Sequence, residues 1–292
     1  MKKVVLGIVL VMTLVTLVAC QNNGVSEEES NDDDLSVTEN DSEGTPDDGS
    51  TDLDESTLND EKAGDEVEEK DNQAEEQKVV EALYEINQGN WRVQPIDESS
   101  DGKVALLTID DAPDKHAVEM AHILYELEVP AIFFVNGHFL ETEEKEEQLK
   151  EIVSLGFTIG NHTYNHPNLR DISVDEQRDQ LVSLNDKIEE IIGERPKFFR
   201  APFGANTEES LAIAKEEKMV VMNWTYGYDW EADYQDSKAL ADIMVNTEYL
   251  SEGANLLMHD REWTKEALED IVTGLREKGY TFVSPEQIKG VE

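Results

Sequence analysis

The chain has 292 residues, with 67 acidic against 24 basic side chains and a formal net charge of −43. That balance excludes the basic footprint that nucleic-acid binding needs against phosphate. Cys20 is the only cysteine, so an intramolecular disulfide and a thiolate metal site are excluded, and any metal must be held by histidine and carboxylate.

In chain order, Lys2 and Lys3 precede an apolar run over 4–19 that is short for a membrane span and ends in Leu17-Val18-Ala19-Cys20. This opening resembles a bacterial lipoprotein signal. Cleavage before Cys20 leaves a lipidated N-terminus, which implies a protein anchored to the cell membrane on its extracytoplasmic face. The alternative is an uncleaved membrane helix with an inert cysteine. From 21 to 77 the chain is rich in Asp, Glu, Ser, Asn, Thr and Gly, including Glu27-Glu28-Glu29 and Asp32-Asp33-Asp34. It carries too little apolar surface to offset the entropy of ordering, and is expected to be a disordered acidic tether.

The remainder, 78–292, is long enough for one domain with a substantial core. Strand-like runs at 104–109, 131–135, 157–159, 198–199, 220–224, 255–258 and 280–283 alternate with helical patterns at 113–127, 148–155, 174–192, 208–217, 237–245 and 264–277. About seven strand-helix units predict an α/β fold with a parallel sheet closed, or nearly closed, into a barrel. An open doubly wound sheet is the competing arrangement.

The polar residues fall at the strand ends, which converge on one face in such architectures. Asp110-Asp111 ends the first strand, His162-Thr163-Tyr164-Asn165-His166 follows the third, Arg200-Ala201-Pro202-Phe203-Gly204 the fourth, Asp229-Trp230 the fifth and His259-Asp260 the sixth. Adjacent strand side chains point to opposite faces, so Asp110 and Asp111 can share a site only where the backbone turns, and Ala112-Pro113 supplies that ending. By themselves the two acids would be read as a turn capping the next helix. Histidines four apart suggest one side of a helical turn that closes at Pro167.

These five motifs, in this order, resemble the polysaccharide deacetylases, the NodB-like domain of carbohydrate esterase family four, over about 100–285. The resemblance implies a distorted (β/α)7 barrel that removes N-acetyl groups from amino-sugar polymers. It implies Asp111, His162 and His166 as metal ligands, Asp110 as base, His259 as acid and Arg200 as the residue orienting Asp110. It further implies Phe203 as a backbone donor to the oxyanion, Trp230 and Leu257 as the enclosure of the acetyl methyl, and an acid near Asp229 as support for the catalytic histidine. Zinc is the default divalent ion, with cobalt, iron, manganese and nickel also suited to the donor set. The implied partner is an N-acetylated envelope or extracellular glycan: peptidoglycan, chitooligosaccharide or poly-N-acetylglucosamine. A monomer is expected.

The chemistry is coherent with that assignment. Amide hydrolysis needs an activated water, a stabilised oxyanion and a protonated leaving amine, and this donor set can serve all three. The chain departs from the family pattern in two motifs. Tyr226 stands where an acid usually precedes the Asp-Trp pair, which leaves Asp229 or Asp260 to support His259. Ile109 and Ala112 replace the usual Phe and Gly, and Ala112 would resist a positive φ. The reading from another class is a lipoprotein that binds glycan or metal without catalysis; Asp110 and His259, which mere metal capture does not require, argue against it.

Overall fold

The structure, a computed structural model, describes residues 80–291. The signal, Cys20 and acidic-tether expectations lie outside these residues. The described chain opens with an antiparallel pair, β1 (Tyr84–Ile86) and β2 (Val93–Pro95), which the strand pattern had not predicted. Three residues each is too short for a period-two signal to stand out.

The main sheet has seven strands, all paired in parallel. They are β3 (Val104–Ala112), β4 (Ala131–Val135), β5 (Thr158–Asn161), β6 (Phe198–Phe199), β7 (Val220–Val221), β8 (Ala254–His259) and β9 (Thr281–Phe282). The helices between them are α1 (Ala117–Glu126), α2 (Glu143–Ser154), α3 (Val174–Ile192), α4 (Glu208–Glu216), α5 (Ser237–Asn246) and α6 (Glu262–Glu277). The last strand is followed by a short 3₁₀ turn, Pro285–Gln287, so the seventh unit lacks an α-helix. Helix α2 starts earlier than its apolar pattern indicated, because Thr142 caps an acid-rich first turn whose charges favour a helix N-terminus.

Strand order is β7-β6-β5-β4-β3-β8, with β9 also on β3. The two ends of that order meet through the chain just after β7: Tyr226 forms an isolated parallel bridge to Leu256, and Leu257 N–H donates to the Tyr226 carbonyl at 2.9 Å. The result is the distorted barrel that the resemblance implied, and the flat doubly wound sheet is excluded. Alternation along β3 sorts its side chains into two layers. Ala105, Leu107 and Ile109 pack outward with Met120, Leu124, Leu268 and Ile271 of the helices. Val104 and Leu106 pack inward with Ile132, Phe134, Phe198 and Met222, and the β1–β2 residues Tyr84, Ile86 and Val93 join that inner cluster. Thr108 and Asp110 continue the inward row, so the polar residues sit at the end of the barrel where the strands finish.

Closure at Tyr226 depends on the next residue. A Cβ on Gly227 would lie 2.3 Å from the Leu257 carbonyl oxygen and 2.8 Å from the Trp230 ring. The nearer contact is backbone and cannot rotate away. Gly227→Ala is therefore expected to lower unfolding free energy by about 1–3 kcal/mol, the range for overpacking a tight site, measured by denaturant titration. Unchanged stability would show that the bridge is not tightly packed.

Candidate active site

Each strand end delivers its residues by a different local device. β3 shifts register against β4 between Ile109 and Ala112, and Asp111 takes a left-handed φ of 63°. This irregularity brings both acids to one site, as their adjacency required. The positive φ falls on Asp111 and not on Ala112, so the alanine substitution at 112 meets no conformational obstacle.

The helical turn expected over 162–166 is absent. Thr163 and His166 have φ of 68° and 56°, which no helix allows. The segment is an irregular bend pinned from outside. Asn161 Oδ1 accepts from Thr163 N–H, Asn136 Nδ2 donates to the His162 and Thr163 carbonyls, and Tyr164 and Asn165 N–H bond to Gln180 of α3. The local Asn161 bond and the tertiary bonds to Asn136 and Gln180 together outweigh the helical preference. Phe203 also has a left-handed φ, 59°, within the Pro202–Gly204 turn. Such strained residues at one cleft are a recurrent mark of functional sites.

The cleft encloses about 420 Å³ and is lined by Asp110, Asp111, His162, His166, Phe203, Trp224, Asp229, Trp230, Leu257, His259 and Arg261. Of the residues to which the resemblance gives a role, all within the described chain line it except Arg200, which lies beneath it; Asp260 and Tyr226, also singled out in sequence, do not line it. One ligand atom from each of Asp111, His162 and His166 lies within 4.8 Å of the others. Asp111 Oδ1 is 3.5 Å from His166 Nε2 and 3.9 Å from His162 Nε2. His162 Nδ1 is 2.8 Å from the Arg200 carbonyl, which makes that nitrogen the protonated one and turns the Nε2 lone pair toward the cleft. Burial and neighbouring His162 pull the His166 pKa down, so its imidazole is neutral. Burial alone would raise the Asp111 carboxyl, but the charges of His162, His259, His166 and Arg261 outweigh it and hold the group below its usual value. Two imidazoles and a carboxylate converging within 4.8 Å fit a divalent cation.

Arg200 is fully buried beneath this cluster. Its Nη1 donates to Asp110 Oδ1 and to Thr108 Oγ1, each at 2.7 Å, and Nη2 donates to the Asn223 carbonyl at 2.9 Å. The guanidinium lies over the Phe134 ring, 4.4 Å from its centroid. That ring has room because a Cβ on Gly160 would come within 2.5 Å of it. Asp110, 2% exposed, is thereby fixed in direction, with Oδ2 3.5 Å from His162 Nε2.

Across the cleft, the choice between Asp229 and Asp260 is resolved by geometry. Asp229 Oδ1 pairs with His259 Nδ1 at 2.7 Å, and Oδ2 accepts from His259 N–H at 2.6 Å and from Thr264 Oγ1 at 2.8 Å. Asp260 points elsewhere, accepting from the N–H groups of Lys115 and His116 at the approach to α1. Tyr226 takes no part, since its hydroxyl donates to the Met244 carbonyl in the helical layer. Burial pulls the His259 pKa down, but the Asp229 hydrogen bond and charge, with Asp110 and Asp111, more than reverse this and leave it raised. The Trp230 ring, 46% exposed, meets His259 edge-on at 5.5 Å, and Phe203, 67% exposed, meets His166 edge-on at 4.9 Å.

Sequence reasoning missed Thr108, Arg261 and Thr264. Arg261 directly follows the His259-Asp260 pair and could have been noticed there. The others bear no local signal, because their roles depend on partners far along the chain.

A parallel barrel with acids and imidazoles gathered on the rim where its strands end is the architecture of the NodB-like carbohydrate esterases. Residues 97–222 match the family model described as polysaccharide deacetylase. The peptidoglycan-N-acetylmuramic acid deacetylase PdaA of Bacillus subtilis is 31% identical over 188 residues, covering 62% of this chain and 70% of PdaA. The peptidoglycan-N-acetylglucosamine deacetylase of Bacillus cereus is 30% identical over 185 residues, covering 61% of this chain and 65% of the relative. Among solved structures, a carbohydrate esterase family four pseudoenzyme from Bacillus anthracis superposes with a TM-score of 0.58 at 31% identity, covering 64% of this chain and 67% of that one. The chain spans from about half to about two thirds of the length of several curated relatives. With these likenesses added to the fold, this chain belongs to the polysaccharide deacetylase family.

Proposed function

We propose that residues 78–292 form a metal-dependent deacetylase that hydrolyses the N-acetyl amide of amino sugars in an envelope glycan and releases acetate. The observation that supports this reading best is the convergence of Asp111, His162 and His166 with the Asp110–Arg200 and His259–Asp229 pairs in one cleft. A divalent cation, zinc by default, supplies an acidified water and a polarised carbonyl when bound. Asp110, aimed by Arg200, accepts the proton of the attacking water. The Phe203 N–H is assigned to the developing oxyanion. His259, kept cationic by Asp229, donates a proton to the sugar nitrogen as the C–N bond breaks. Trp230 and Leu257 enclose the acetyl methyl.

On this reading the protein is a monomer anchored by lipid on Cys20 at the extracytoplasmic face of the membrane, which favours peptidoglycan or another envelope polymer as substrate. Acetate release from N-acetylated chitooligosaccharides and peptidoglycan, with and without chelator, tests the activity. Release that chelator abolishes and added zinc restores is expected. Tight glycan binding with no acetate under any divalent ion would instead support a non-catalytic role, which a pseudoenzyme among the structural neighbours makes worth testing.

The acid assignment carries a pH signature. Because His259 is raised, its proton persists above the pH at which free imidazole loses it, and turnover should fall as pH rises through that raised value. Asp229→Asn removes the supporting charge, so the alkaline limb of kcat/KM should move to lower pH and the rate fall by about 10²-fold. An alkaline limb that stays in place would remove His259 from the role of acid.

A further inference from the structure

Arg261 has no role in the assignments made so far. It is the residue before α6, and it reaches back across the cleft to β3. Its Nη2 donates to Asp111 Oδ2 at 2.8 Å, while Nη1 donates to the Asp260 carbonyl at 2.9 Å and lies 3.7 Å from Asp114 Oδ2. Asp260 is itself held by the Lys115 and His116 N–H groups, so the guanidinium rests on a fixed support. Its direction is set at both nitrogens.

The consequence falls on Asp111. Its two oxygens are divided between two tasks: Oδ2 is engaged by Arg261, and Oδ1 alone faces the His166 and His162 imidazoles at 3.5 and 3.9 Å. A carboxylate with both oxygens free can grip a divalent ion through both. Hydrolytic centres work with three protein ligands and an open position, which a second carboxylate oxygen would take. Donors that hydrogen-bond a metal-binding carboxylate orient it, and their loss costs on the order of 10- to 100-fold in metal affinity or activity.

We propose that Arg261 is a positioning residue that restricts Asp111 to ligation through one oxygen and so keeps a coordination position open for the reaction; this rests on the metal-dependent reading above. A surface ion pair that merely staples the β8–α6 junction to the β3 loop would show the same contact distance but no effect on the ion.

The experiment compares the purified full chain, Arg261→Met and Arg261→Lys after loading with cobalt(II). Bound metal is counted, the visible absorption recorded, and acetate release measured per bound ion. Arg261→Met is expected to hold cobalt with an altered, weaker visible band and to turn over about tenfold or more slowly per bound ion. Arg261→Lys retains an N–H donor and should recover most of the parent spectrum. If Arg261→Met does not fold by circular dichroism, Arg261→Leu, which also lacks a donor, is read in its place. A parent-like spectrum and turnover in the Met or Leu variant overturns the proposal, and so does a rise in KM alone, which would make Arg261 a substrate contact. A parent chain that takes up no cobalt would sink the functional reading itself, whereas a loaded parent with an indifferent variant sinks only this inference.

Discussion

Asp110→Asn should bind metal like the parent and lose turnover by about 10²–10⁴-fold, the usual contribution of a positioned general base. The side chain keeps its shape but can no longer accept a proton. Its environment makes the loss hard to bypass: Asp110 is 2% exposed, and Arg200 Nη1 holds Oδ1 at 2.7 Å, so bulk water cannot reach the position freely. The substitution also leaves Arg200, itself fully buried, facing a neutral amide. Breaking a buried pair on one side costs about 3–5 kcal/mol, so turnover must be referred to the folded, metal-loaded fraction. Circular dichroism and metal stoichiometry on the same sample supply that reference. Turnover within a few-fold of the parent, with metal retained, would rule out Asp110 as the base.

His162→Ala should fail differently, losing metal and activity together. The imidazole contributes Nε2 to the cluster, and its Nδ1 is tied to the Arg200 carbonyl at 2.8 Å. One substitution thus removes a ligand and a link between the β5 and β6 ends. The fall in affinity should exceed the roughly 10–100-fold that follows loss of an outer-shell partner. Equilibrium dialysis against zinc measures it directly. Excess metal should restore part of the His162→Ala activity and none of the Asp110→Asn activity. If both variants respond alike to added metal, base and ligand have been misassigned.

The order of the chemistry was legible from residues alone. Alternating apolar runs and helical periods predicted a parallel barrel, and the strand-end rule placed Asp110, Arg200, Asp229 and His259 on one rim. Prediction of α3 over 174–192 matched its observed span, because Ser173 and Glu176 form a capping box and Gly193 ends the helix in the left-handed region. Local signals of this kind need no distant partner to be read.

Other features had no local signature. The 162–166 bend overrode a helical spacing because Asn161, the residue just before it, takes the Thr163 N–H, while Asn136 and Gln180 satisfy its backbone from two distant elements. Which acid supports His259 could not be chosen from sequence, since Asp260 is its chain neighbour while Asp229 lies 30 residues away, and neither position fixes where its carboxylate points. Only the path after β7, closing onto β8 beside Gly227, carries Asp229 to the imidazole, while Asp260 turns to the backbone before α1.

The sequence by itself determined which kinds of side chain are available and in what order the strands present them, because periodicity and composition act over a few residues. Tertiary structure alone decided which oxygen of Asp111 faces the imidazoles, which nitrogen of His162 is free and which acid charges His259. Those choices are made by hydrogen bonds between residues far apart in the chain, such as Arg261 donating to Asp111 and His162 donating to the Arg200 carbonyl, and they exist only once the barrel has closed.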